Sequence, residues 1–197
     1  MHKIAITGHM HGIGKAIYDR LSKKYETIGF DIENGFDITM PESIIQKSND
    51  CEVFINNAYV DEYQNKIAEA WYQHHINDRY FLISISSIAG DMQFYSDDIL
   101  FMKEYSQNKK ILNQLSRDIN YSGNKCRSAV VLPGFVKTNF FSPTIFPEDS
   151  DIGNFYKEVE KTNSFILPED VAIVVEQMIE SFNNHFFISH MTIINRL

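Results

Sequence analysis

The chain has 197 residues, 44% hydrophobic and 22% charged, with a formal net charge of -8. That length and balance suit one globular domain with its own core and exclude the disordered and fibrous classes. The negative charge argues against a nucleic-acid partner, because no Lys/Arg cluster offsets it; Lys109-Lys110 is the densest basic spot near a motif.

The two cysteines, Cys51 and Cys126, stand outside any CxxC or CxxH pattern. Neither a disulfide framework nor a structural zinc site is implied, and no metal is expected. No apolar run reaches the length of a membrane span, and the opening MHKIAITG reads as a strand and not a signal peptide. The expectation is a reducing, cytoplasmic setting with no membrane partner.

Short apolar runs alternate with stretches of helical spacing. Strands are predicted at 3–7, 27–30, 53–55, 80–85, 127–132 and 186–194, and helices at 13–24, 41–48, 61–76, 102–119 and 168–182. Residues 142–164 have the weakest periodicity and read as a mobile loop on the substrate side, with a short helix. The alternation implies crossover units. The predicted fold is a single α/β domain over 1–197, a Rossmann-type doubly wound parallel sheet with helices on both faces.

The first strand runs into Thr7-Gly8-His9-Met10-His11-Gly12-Ile13-Gly14 and then a helix. Gly8 suits a sharp turn, Gly12 a close approach to a pyrophosphate, and Gly14 tight packing of helix on sheet. The helix N-terminus adds free N–H groups and a positive dipole end, so the pattern points to a dinucleotide. His9 and His11 lack a third metal ligand nearby and either line the phosphates or face solvent. The second strand ends at Asp31, where a carboxylate accepts from the adenosine ribose hydroxyls and repels a 2′-phosphate, which favours NAD over NADP. Asp37 either reaches the adenine amino group or caps the chain near Pro41.

Taken in order, these residues and those that follow resemble the short-chain dehydrogenase/reductase family. The glycine turn matches its cofactor motif. Asn56-Asn57-Ala58 matches NNAG except that Tyr59 replaces the glycine. Ser87 sits where the catalytic serine ends a strand, Tyr105-Ser106-Gln107-Asn108-Lys109 matches YxxxK, and Pro133-Gly134-Phe135-Val136-Lys137-Thr138 matches PGxVxT. The resemblance implies an enzyme that transfers a hydride between a nicotinamide cofactor and a secondary alcohol or carbonyl compound. Ser87, Tyr105 and Lys109 would be catalytic. Gly8, His9, His11, Gly12, Ile13, Gly14, Asp31, Asp37, Asn57, Ala58, Lys109, Pro133, Gly134, Val136 and Thr138 would hold the cofactor. Tyr105 and Lys109 stand four apart, on one helix face. An ammonium beside a phenol favours the phenolate, so Tyr105 suits acid–base work. The alternative is a cofactor-binding redox sensor or scaffold with little turnover.

Two departures stand out. The stretch from Ala58 to Ser87 is far shorter than the family's usual spacing and should lose its catalytic asparagine; Asn65 lies nearby without being assigned that role. The step from Ser87 to Tyr105 is longer, which implies an inserted loop at 91–101 carrying Asp97-Asp98. The shortening predicts a wider, more solvent-open active site with a disrupted proton relay. Ile67, Ala70, Trp71 and His74 form a stripe on the third helix that either packs on the sheet or joins the 102–119 helix in a homodimer.

Overall fold

In the computed structural model, which describes residues 3–91, 100–140, 151–182, 184 and 186–196, the apolar runs of the sequence assemble side by side. The elements are β1 (Lys3–Thr7), α1 (Gly12–Leu21), β2 (Glu26–Phe30), α2 (Glu42–Lys47), β3 (Val53–Asn56), α3 (Tyr63–His74), β4 (Phe81–Ile85), α4 (Leu100–Tyr121), β5 (Arg127–Pro133), α5 (Asp151–Lys161), α6 (Pro168–Phe182) and β6 (His190–Ile193). The strands make one parallel sheet in the order β2-β1-β3-β4-β5-β6.

Both faces of that sheet are covered, which is why its central strands read as unbroken apolar runs and not as alternating ones. Ile4, Ile6, Val53, Ile55, Ile83 and Val131 face one way, against Ile17 and Leu21 of α1 and Val171, Val175 and Ile179 of α6. Ala5, Phe54 and Leu82 face the other way, against Ile67 and Trp71 of α3 and Leu112 and Ile119 of α4. Trp71 is fully buried and stacks on Phe54 at 5.2 Å. The Ile67–Trp71 stripe therefore packs on the sheet and is not free to join subunits. No helix among the described residues is long and apolar enough to cross a membrane.

The stretch 142–164 does contain the helix expected of it. Its second half holds the eleven-residue helix α5. Phe155, Tyr156 and Val159 recur at helical spacing and pack against Phe135 and Phe165, a periodicity masked in the sequence by the surrounding Asp, Asn and Ser. Residues 141–150 and the loop residues Asp97 and Asp98 lie outside the described residues.

From β1 the chain steps to β2 on one side, and later to β3 on the other. This reversal opens a crevice at the carboxyl ends of β1 and β3, the place where open parallel sheets bind ligands. The glycine turn leaves β1 there, and Asn57 leaves β3 beside it.

Candidate active site

The glycine turn is shaped by backbone that L side chains rarely adopt, with φ of 71° at Gly8 and 51° at Gly12. Gly14 answers a different need: a Cβ there would stand 1.9 Å from the Gly8 carbonyl oxygen, so only glycine lets α1 seat against the turn. The β3 end clamps the same turn. The Asn57 and Ala58 amides donate to Thr7 Oγ1 at 3.0 and 3.1 Å, and the Asn57 side chain donates to the Thr7 and Gly8 carbonyls at 3.1 and 3.2 Å. Across the crevice, Thr138 brings its methyl group within 3.3 Å of where a Cβ on Gly12 would lie.

The result is a cleft of about 630 Å³. Gly8, His11, Gly12, Ile13, Asp31, Asn57 and Ala58 line one end, and Ser87, Tyr105 and Lys109 line the other, with Pro133, Gly134, Val136 and Thr138 along the wall. The cradle fits a dinucleotide by its own chemistry. His11 at the start of α1 makes no capping side-chain bond, which leaves the first helical N–H groups to an anion. Asp31 stands at the far end, its carboxylate accepting from the Met10 and Glu33 amides, each at 3.2 Å.

Two predicted cofactor residues are placed elsewhere. The His9 side chain turns from the cleft and packs on Gly29, with its ring 5.0 Å from Tyr18. Asp37 Oδ1 accepts from the Thr39 amide at 2.8 Å, the local turn bond that competed with an adenine contact in the sequence. Glu33 was not anticipated. Its carboxylate meets His11 Nε2 at 2.5 Å beside Asp31, and the pairing holds the imidazole above its usual pKa.

At the other end, Lys109 is almost fully buried and has no carboxylate partner among the described residues. Its Nζ donates to Gln64 Oε1 at 2.7 Å and to the Ile85 carbonyl at 3.0 Å. Gln64 is itself buried, and its Nε2 donates to the carbonyls of Asn56 and Ile85 at 3.1 and 3.0 Å. Those two bonds fix the amide so that its oxygen faces the amine. Desolvation brings the Lys109 pKa down to about 7. Burial also holds Tyr105 well above its ordinary value, and a hydrogen bond with Ser87 pulls the other way. Tyr105 is thus neutral near pH 7, while Lys109 stands close to the midpoint of its titration.

Gln64 is the residue that sequence reading missed. It does carry a signal: with Ile67, Ala68 and Trp71 it falls on the buried stripe of α3, as the polar member of an apolar face. Asn65 instead bridges to α4, donating to the Asn108 carbonyl at 3.1 Å. Asn195 was also unforeseen. It accepts from the Phe135 amide at 2.8 Å and donates to the carbonyls of Phe135 and Ser164, both at 2.9 Å, bracing the 133–138 wall. The predicted opening does not extend to the Tyr105 and Lys109 side chains. Tyr105 keeps only 6% of its surface exposed and Lys109 only 3%, because Tyr59 and Phe140 stand over them.

With this geometry in view, solved structures supply a match. A 3-alpha-hydroxysteroid dehydrogenase from a Pseudomonas species, complexed with NADH, is 17% identical; the match covers 98% of this chain and 95% of that one, with a TM-score of 0.71. A 4-hydroxyisoleucine dehydrogenase complexed with NADH is also 17% identical, over 99% and 98% of the two chains, with a TM-score of 0.71. A short chain dehydrogenase from Burkholderia cenocepacia in complex with NADP is 15% identical, over 98% and 96%, with a TM-score of 0.69. The chain has the fold these dehydrogenases share. No protein-family model and no curated protein matches the sequence.

The buried amine makes stability depend on pH in a definite direction. Lys109 titrates near 7 in the fold and near 10.5 when unfolded. Below about 7 the full cost of burying its charge is present. Between those values the unfolded chain holds the extra proton, so this residue makes the fold more stable as pH rises. Unfolding of the cofactor-free protein in urea should show that rise, up to roughly 5 kcal/mol across the window. Lys109→Met should remove it, and Gln64→Glu, which sets a carboxylate beside the amine, should shrink it. Parallel pH curves for all three proteins would contradict this account.

Proposed function

We propose that the protein is an NAD-dependent oxidoreductase interconverting a secondary alcohol and its carbonyl compound, with Ser87, Tyr105 and Lys109 as catalytic residues. One observation carries this reading. A hydrogen-bonded Ser87–Tyr105 pair and a buried lysine line the same cleft as a glycine turn built for pyrophosphate.

When bound, the nicotinamide supplies or takes up the hydride. The chain's own residues handle the proton. Ser87 donates a hydrogen bond to the substrate oxygen and holds it beside the Tyr105 hydroxyl. Tyr105 gives its proton to a carbonyl oxygen, or as phenolate takes one from an alcohol. The Lys109 amine lies 5.3 Å from the Tyr105 ring centroid, and its protonation favours the phenolate. Gln64 positions the amine without touching substrate. Gly8, Gly12, Ile13, Asn57, Ala58, Pro133, Gly134, Val136 and Thr138 hold the cofactor along the wall. A scaffold with little turnover would need only the glycine turn and would gain nothing from two buried ionisable groups, which cost stability.

NAD is preferred over NADP in this reading, because a 2′-phosphate at Asp31 would meet that carboxylate and the Glu33 carboxylate together. A homodimer is part of the same proposal, resting on Ile111 and Tyr121, which α4 exposes by 47% and 89%. So is a cytoplasmic setting, supported by two buried free cysteines.

Tyr105→Phe should lower kcat by about 10²–10⁴-fold while NADH still binds, as read by fluorescence titration. Turnover close to that of the unaltered protein would remove Tyr105 from the chemistry. Asp31→Ser should narrow the NAD-over-NADP affinity ratio by at least about tenfold. A ratio that does not move, or an unaltered protein that prefers NADP, would contradict the role of Asp31.

A further inference from the structure

Three aromatic rings pack on one another in the lining of the cleft. Tyr59, which ends the Asn56-Asn57-Ala58 run, meets the Tyr105 ring edge-on, with centroids 5.1 Å apart and planes at 70°. The Phe140 ring lies 5.9 Å from Tyr59 and 6.0 Å from Tyr105. Lys109 Nζ sits 4.9 Å from the Tyr59 centroid, on the inner side of the group. Phe135 and Val159 pack behind Tyr105, with Phe155, Tyr156 and Phe165 around them, so α5 extends the apolar wall.

The charge at this end is sparse. Among the described residues lining the cleft here, the charged side chains are Lys109, committed to Gln64 and Ile85, and the exposed Lys137. No arginine among the described residues lines it. A substrate carboxylate or phosphate would lose its hydration without a bidentate partner to replace it. A flat ring gives up little hydration, and the mutually packed Tyr59 and Phe140 rings, with Phe140 47% exposed, offer an aromatic wall for it to lie against.

We infer that Tyr59 determines specificity, and that the substrate is an uncharged, ring-bearing secondary alcohol or ketone, with an aryl ring packed against the wall made by Tyr59 and Phe140 and its oxygen toward Ser87 and Tyr105. This rests on the acid–base reading of Tyr105. In the reducing direction the carbonyl carbon gains a hydride from NADH and its oxygen gains the Tyr105 proton. The ketone is thereby reduced to the alcohol and NADH is oxidised to NAD.

The test compares 1-tetralone, 2-butanone and pyruvate as oxidants of NADH. The kcat/KM for 1-tetralone should exceed that for each of the others by at least about tenfold. Tyr59→Phe should keep that preference, whereas Tyr59→Gly and Tyr59→Leu should each cut it by about tenfold, mainly through KM for the ring compound. Two glycine-to-leucine extremes of size guard against one variant failing to fold. Binding gives a readout separate from turnover: saturation-transfer NMR should show 1-tetralone contacting the protein, with or without NADH, and losing contact in Tyr59→Leu. Equal turnover of all three compounds would overturn the aromatic wall as a substrate site while leaving the oxidoreductase reading intact. Tetralone contacts without any NADH oxidation would support the wall and sink that reading instead. Absence of tetralone contacts, or contacts unchanged in Tyr59→Leu, would overturn the inference.

Discussion

A lysine amine buried inside the protein, with no counter-charge among the described residues, is the constraint around which this site is arranged. Burying an amine in this way costs free energy unless polar atoms replace its water. Here a side-chain amide oxygen and one carbonyl do so, at 2.7 and 3.0 Å. For Gln64 to present its oxygen and not its NH2, the other half of the amide must find acceptors, and Asn56 and Ile85 supply them. The β3–α3 connection and the β4 end are therefore tied to one amine. The turn after Ser87 closes the last side. A Cβ on Gly90 would stand 2.8 Å from the Lys109 carbonyl carbon, so glycine lets that turn lie flat on α4.

One strand end joins this buried pair to the cofactor cradle. Consecutive residues leaving β3 divide the work: Asn56 reaches the Gln64 backbone carbonyl at 2.9 Å, Asn57 grips the glycine turn, and Ala58 bonds to Thr7. Tyr59, next in line, roofs the lysine and the tyrosine. A shift of β3 would therefore disturb the phosphate turn, the lysine clamp and the aromatic wall together. The short path from Ala58 to Ser87 does not open the site, because Gln64 occupies the space beside the amine and Tyr59 the space above it.

The parts of this arrangement that were legible in the sequence are those with local periodicity or a local motif. Six apolar runs marked the strands, and 168–182 matched α6 in full, since Pro-Glu-Asp opens a helix that a continuous apolar stripe then sustains. The glycine turn and the Tyr105–Lys109 spacing were readable for the same reason. What escaped were contacts between residues distant in the chain. Asn195 reaches Phe135 only once β6 pairs with β5, and Gln64 meets Lys109 only once α3 and α4 pack on one face of the sheet. His9 and Asp37 went astray because a polar residue near a motif has local partners as well as a ligand, and here Gly29 and the Thr39 amide take them.

The central claim is that Tyr105 rests neutral beside a buried, only partly charged Lys109, and that positive charge arriving in the cleft tips Tyr105 toward phenolate. Ultraviolet difference absorbance near the phenolate band, followed against pH with NAD and separately with NADH, tests this without any turnover. The account predicts that NAD lowers the pH at which one tyrosine ionises by at least about one unit, that NADH leaves it in place, and that the step is missing in Tyr105→Phe. An ionisation that ignores the charge of the cofactor, or one that persists in Tyr105→Phe, would contradict it.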